Sequence, residues 1–195
     1  MKKSLIWLSI IILANLTLAE AVPGKNPRVE IKTGLGNIII ELYPDRAPLT
    51  VANFLRYVDA GLFKATAFFR TVTLANQPDN PVKIEVIQGG EIPAEKEFPA
   101  VGHETTRVTG LHHLDGTVSM ARAEPGTATS QFFICVNDQP ELDFNGRRNP
   151  DGQGFAAFGK VISGMEVVRK IHQQPAQEQR LSPEIRIVNI ERIIK

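Results

Sequence analysis

The chain has 195 residues, with 22 lysines and arginines against 21 aspartates and glutamates, and a single cysteine. A charge so nearly balanced offers no electrostatic footing on nucleic acid or on an anionic membrane surface, and a lone cysteine excludes an internal disulfide. The length suits one domain with its own hydrophobic core.

The first residues read as a targeting segment. Lys2 and Lys3 precede an apolar run over residues 5–18, followed by the small-x-small sequence Ala19-Glu20-Ala21. This is the pattern of a secretory signal peptide, residues 1–21, with cleavage after Ala19 or Ala21. The run is shorter than the roughly 20 residues that cross a bilayer comfortably, which argues against an uncleaved anchor. Cleavage would remove Lys2, Lys3 and Glu20 and leave the charges balanced. Cys135 lies far from the segment, so a lipoprotein is excluded. Export implies an oxidising compartment and stability drawn from packing. Cys135, in an apolar stretch, reads as a small buried hydrophobe.

Residues 22–27, "VPGKNP", read as a linker, and the domain follows over residues 28–195. Strands are expected at 28–33 and 36–43, joined tightly through Gly34 and Gly36 as a hairpin. Val51, Phe54, Leu55 and Val58 recur at helical spacing, with Pro48 in the first turn and Gly61 past the end, so a helix is predicted over 49–60. Strands are expected at 66–72 and 82–88, separated by a turn-rich loop over 73–81. Residues 91–115 are irregular. Strands are then predicted at 116–122 and 127–136, a long polar loop after them, and another strand at 155–161. The segment 163–174 reads as a helix with Ser163 as N-cap. An alternating strand over 184–194 closes the chain.

Eight short strands mostly run on without intervening helices. That favours a mainly β fold: a closed eight-stranded antiparallel barrel capped by two α-helices. Side chains fill the interior of so small a barrel, so a binding site must lie on its outer surface.

Strand parity then sorts the faces. Val82, Ile84, Val86 and Gln88 share one face of their strand, opposite Lys83, Glu85 and Ile87. Phe132, Ile134 and Val136 form a uniform apolar face, leaving Gln131, Phe133 and Cys135 on the other. Phe68 and Arg70 are expected on one face, opposite Phe69. Three strands therefore offer polar and apolar groups together outside the core.

The ordered segments "FFRTV", "VIQGG", "TVSMARA", "TATSQFFICV" and "FAAFGKVISGMEVV" resemble the signature of the cyclophilin-type peptidyl-prolyl cis-trans isomerases. The earlier "GNIIIELYPDRAPLTVANFLRYVDAG" is similar to that family's first hairpin and helix. The resemblance implies the barrel fold and catalysis of X–Pro bond rotation without cofactor or metal. It assigns catalysis to Arg70 and Gln88. It gives the holding of substrate to Val86, Ala121, Arg122, Gln131, Phe133, Leu142 and Phe155, with Phe133 as the floor of a proline pocket and Leu142 in its wall. Proline-containing unfolded or partly folded polypeptides would be the partners, met by a monomer in the periplasm, with full secretion as the alternative. Stable membrane association is not expected after signal cleavage.

The chain departs from the family pattern around that pocket. Val86 stands at a methionine position, Glu85 at a phenylalanine position, and Glu141 where an aromatic residue is frequent. Phe155 aligns with a histidine, Arg122 replaces a common asparagine, and the 73–81 loop is longer. These changes imply weaker turnover of short peptides and weak cyclosporin binding. A proline-peptide-binding chaperone module with little catalysis is the alternative reading. His103, His112, His113 and His172 show no recurring ligand spacing, so no metal site is expected. Ser119 and Ser130 lie in no nucleophile elbow, which argues against a serine hydrolase.

Overall fold

The computed structural model describes residues 26–193; the expected signal peptide and most of the linker lie outside them. In chain order the elements are β1 (Arg28–Thr33), β2 (Gly36–Leu42), α1 (Pro48–Asp59), β3 (Ala67–Val72), β4 (Val86–Gly89), α2 (Thr106–Thr109), β5 (Thr117–Met120), β6 (Phe132–Cys135), β7 (Ala156–Ser163), α3 (Met165–His172), β8 (Ala176–Gln177) and β9 (Arg180–Arg192). The strands pair antiparallel in the order β1-β2-β7-β5-β6-β4-β3-β9, and β1 pairs with β9 to close the ring. Eight strands thus form the barrel. The two-residue β8 pairs with β9 alone.

Alternation builds the interior. In the first hairpin Val29 faces Ile40 and Ile31 faces Ile38, all fully buried, while Glu30, Lys32 and Asn37 between them point outward. Phe132 of β6 reaches the centre, where its ring meets Phe54, Phe63 and Phe68 edge-on at 5.5, 5.7 and 5.9 Å between centroids. Gly90 makes room for it: its φ is 81°, and a Cβ there would lie 2.8 Å from the Phe132 ring. Helix α1 packs on β7 and β9, and α3 on β2, β3 and β4. Helix α1 has no side-chain cap of its own at Ala47. Glu104 supplies one from a distance, accepting from the Leu49 and Thr50 amides and the Thr50 hydroxyl at 3.2, 2.8 and 2.6 Å, with its negative charge at the positive end of the helix.

Several boundaries differ from the sequence reading for identifiable reasons. Ser163 is not a cap: the β2–β7 ladder continues through its pairing with Ile39, and Gly164, at φ 92°, precedes the helix. Strand β4 begins at Val86 rather than residue 82, because the backbone of Ile84 pairs with a side chain instead. The Gln77 amide donates to Ile84 O at 2.6 Å and accepts from Ile84 N at 3.3 Å. Strand β9 begins at Arg180 and passes through Pro183, which follows a cis peptide bond. Helix α2 and strand β8 are too short to produce a periodic signal.

The polar loop after β6 folds back over the barrel wall and is pinned by buried polar groups. Asp143 accepts from the His113 amide at 3.0 Å and meets the Nδ1 atoms of His113 and His112 at 2.6 and 2.8 Å. A carboxylate only accepts, so His113 carries its proton on Nδ1, and its Nε2 accepts from the Ser119 hydroxyl at 3.0 Å. The His113 ring lies nearly parallel to Phe133, 5.9 Å away. This is a serine–histidine–aspartate chain in geometry, but Ser119 is 0% and His113 1% exposed, so no substrate reaches it.

Burial pushes the His113 imidazole below its ordinary value, against the pull of Asp143, and burial shifts His103 the same way. Burial also acts to raise Asp143, but hydrogen bonds from both histidines outweigh it and hold the carboxyl below its usual range. Depressed imidazoles bind protons less readily folded than unfolded. Their contribution to stability is therefore complete above about pH 6.5 and is lost as pH falls from there toward the depressed folded values. The Asp143 contribution persists until pH falls through that carboxyl's own lowered range. The urea midpoint should therefore decline as pH falls below about 6.5, with a shallower decline in His113→Asn; a midpoint that stays flat as the solution is acidified would refute the account.

Candidate active site

The site is the outer face of β3, β4 and β6. Alternation sends Ile134 inward with Phe132, and turns Phe133 and Cys135 outward into a second apolar cluster with Val72, Ile84, Val86 and Leu142. Phe133 is nonetheless only 5% exposed. His113 covers one side of its ring, and Phe155 meets it edge-on at 5.3 Å. The outer face is thus a second core with an opening, and not the wet surface that parity alone suggests.

Parity also fails at one position in β3. Phe68 lies in the barrel interior at 0% exposure, whereas Arg70 faces the outer cavity. The register shifts between these two residues against both β4 and β9. The bulge inserts one extra residue and puts Phe68 and Arg70 on opposite faces.

Every site residue expected from the sequence, apart from Gln131, lines one cavity of about 230 Å³. Gln131 joins it through a hydrogen-bond chain: Gln88 Nε2 donates to Gln131 Oε1 at 2.8 Å, and Arg70 Nη1 donates to Gln88 Oε1 at 2.8 Å. On its other side Arg70 donates through Nε and Nη2 to Gln179 Oε1 at 3.0 and 2.5 Å. Gln179 is in turn held by its own donation to Asn76 O at 3.1 Å. Burial, and then the charge of Arg148, push Arg70 below its ordinary value. A guanidinium starts so high that it stays charged.

The Arg122 side chain is committed within the protein. Its side chain is 1% exposed, forked onto Asp151 at 2.8 and 3.0 Å, and bonded to Gly154 O at 2.9 and 2.6 Å. It also lies over the Phe155 ring at 5.1 Å. Its side chain therefore fixes the loop that carries Phe155. The Ala121 amide donates to Gln131 O at 2.9 Å. Glu141, at the position where the resemblance expects an aromatic ring, is paired with Arg147 at 2.7 Å. Among the histidines, His103 meets Gln153 O and His172 meets Val72 O, and no group of three or more potential metal ligands occurs among the described residues.

Gln179 and Arg148 were not anticipated from the sequence. Gln179 lies in the turn between β8 and β9, and Arg148 in the long loop after β6. Neither sits in a strand whose parity would flag it. Both are recognisable only once the chain brings distant loops beside Arg70.

Residues 28–192 match the family model described as cyclophilin type peptidyl-prolyl cis-trans isomerase/CLD. A peptidyl-prolyl cis-trans isomerase of Acinetobacter baylyi is 41% identical over 153 residues, covering 77% of this chain and 74% of that protein. Peptidyl-prolyl cis-trans isomerase B of Escherichia coli is 36% identical over 146 residues, covering 73% and 82%. The crystal structure of a Cryptosporidium parvum cyclophilin-type isomerase superposes with a TM-score of 0.68 at 25% identity, covering 87% of this chain and 99% of that one. The chain belongs to the cyclophilin-type peptidyl-prolyl cis-trans isomerases.

Proposed function

We propose that the cavity outside β4 and β6 is where this isomerase turns X–Pro peptide bonds, and that Arg70, held between two glutamine amides, is its central catalytic group. Amide resonance sets a rotation barrier of roughly 18–20 kcal/mol, and uncatalysed X–Pro isomerisation takes tens to hundreds of seconds. No bond need be made or broken. The enzyme has only to favour the twisted amide over both planar forms. On twisting, the proline nitrogen regains a lone pair. The Arg70 guanidinium donates to it, and Gln88 and Gln179 fix the donor beforehand, so little reorganisation is needed. Phe133 and Leu142 hold the proline ring from below and from the side, with Gln131 placed to steady the adjoining backbone.

The observation that carries this reading is the fixed guanidinium facing an apolar floor in one cavity. Val86 in place of a longer methionine removes apolar contact, at about 0.8 kcal/mol per methylene, which Ile84 and Phe155 offset in part. The groove is complete within one chain, which favours a monomer. Residues 1–21 suit a signal peptide, so the clients are taken to be exported polypeptides in the periplasm.

Arg70→Ala should lower kcat/KM on X–Pro peptides by about a hundredfold while changing peptide affinity far less. Equal acceleration by wild type and variant, in exchange NMR or a protease-coupled assay, would remove Arg70 from the catalytic role, and no acceleration by either would leave the alternative of a binding chaperone. Cyclosporin should inhibit only weakly, because Glu141 occupies the aromatic position; nanomolar inhibition would overturn that. After cell fractionation the protein should be found in the periplasm with its N-terminus at Glu20 or Val22, and recovery only from the cytoplasm with Met1 retained would count against export.

A further inference from the structure

Among the described residues, two guanidinium groups face the cavity without a counter-ion. Arg70, Arg122 and Arg148 all line it, and no described aspartate or glutamate does. The charge of Arg122 is matched by the forked pair with Asp151. The other two are bonded only to neutral acceptors: Arg70 to the amide oxygens of Gln88 and Gln179, and Arg148 through Nη1 to Gln77 Oε1 at 2.9 Å and Val82 O at 2.6 Å. Asp79 and Glu178 rim the adjoining depression beyond Arg148, but both are exposed and neither is paired with it. Burial lowers the affinity of both guanidinium groups for their protons, and the charge of Arg148 adds to the effect on Arg70.

Such an arrangement is costly in the empty protein. Two like charges are partly withdrawn from water with nothing of opposite sign between them. Flexible arginines on a free surface would swing apart, but each of these is tied down by at least two hydrogen bonds. Arg148 is tied at only one of its terminal nitrogens, so further donors of its planar fork remain for a ligand. A carboxylate accepts two parallel bonds from such a fork.

We propose that this cavity selects X–Pro bonds that have an aspartate or glutamate side chain close in sequence to the proline, and that Arg148 is the specificity-determining residue. The inference rests on the reading of this cavity as the isomerase site. Arg70 serves every proline bond, while Arg148 adds a second cation that only an acidic peptide uses. The two loops that set Arg148, residues 73–81 through Gln77 and the loop after β6, thereby set the preference.

The test uses short peptides capped at both ends, so that a side chain is the sole carboxylate, with Glu, Gln or Lys placed in turn on either side of the proline. Exchange NMR reads the cis–trans rate for each. At one of those positions the Glu peptide should be turned over about tenfold faster than its Gln counterpart, and the Lys peptide more slowly. The Glu-to-Gln ratio should shrink with added salt, fall toward one in Arg148→Gln and be partly kept in Arg148→Lys. A ratio of one at every position, or a ratio unmoved by Arg148→Gln, would overturn the proposal while leaving the isomerase site intact. No acceleration of any peptide would overturn both.

Discussion

Burial of both faces of one short strand governs the rest of the molecule. Strand β6 lies between β4 and β5, and none of its four residues is exposed. An antiparallel strand ordinarily spares one face for water. Here the inner face completes the barrel, and the outer face seeds a second apolar cluster that needs a cover of its own. That cover is loop rather than helix or sheet, and loop backbone has polar groups to satisfy. Asp143, the Arg122–Asp151 pair and Arg148 do this, and the cavity is what their packing leaves open.

The way Arg70 is held explains how a charge can be both fixed and available. A carboxylate partner would orient a guanidinium more tightly but would cancel its field. Glutamine amides orient it and leave the field in place. Gln88 also relays the constraint to Gln131, so the donor and the neighbouring substrate contact move as one unit. The apolar surroundings raise the strength of every such interaction and raise the penalty for leaving one unmade.

Much of this was legible in the chain. The alternation in "SQFFIC" correctly divided Phe132 from Phe133, and the parity of residues 84–88 correctly put Ile84, Val86 and Gln88 together. Parity failed at Phe68 and Arg70 because a bulge changes the count without leaving a mark in the residue pattern. It also misjudged the exposure of Phe133, since pairing rules say which face a ring takes and nothing of what covers it. Gln179 and Arg148 lay beyond reach for another reason. They reach the site through chain folding over a hundred residues in one case and about seventy in the other, and their own neighbours carry no periodic signal.

Gln77 ties the 73–81 loop to the rest of the wall. Its amide stands in for a strand beside Ile84 and at the same time holds Arg148. The loop's neighbouring contacts are of the same kind, with Asn76 bonded to Thr71 O and Thr73 N, and Asn80 to Val82 N. Few ladder bonds commit the loop to the barrel, so its sequence can drift without disturbing the scaffold. A lineage could thus exchange this one segment and acquire a different clientele while inheriting the same catalyst.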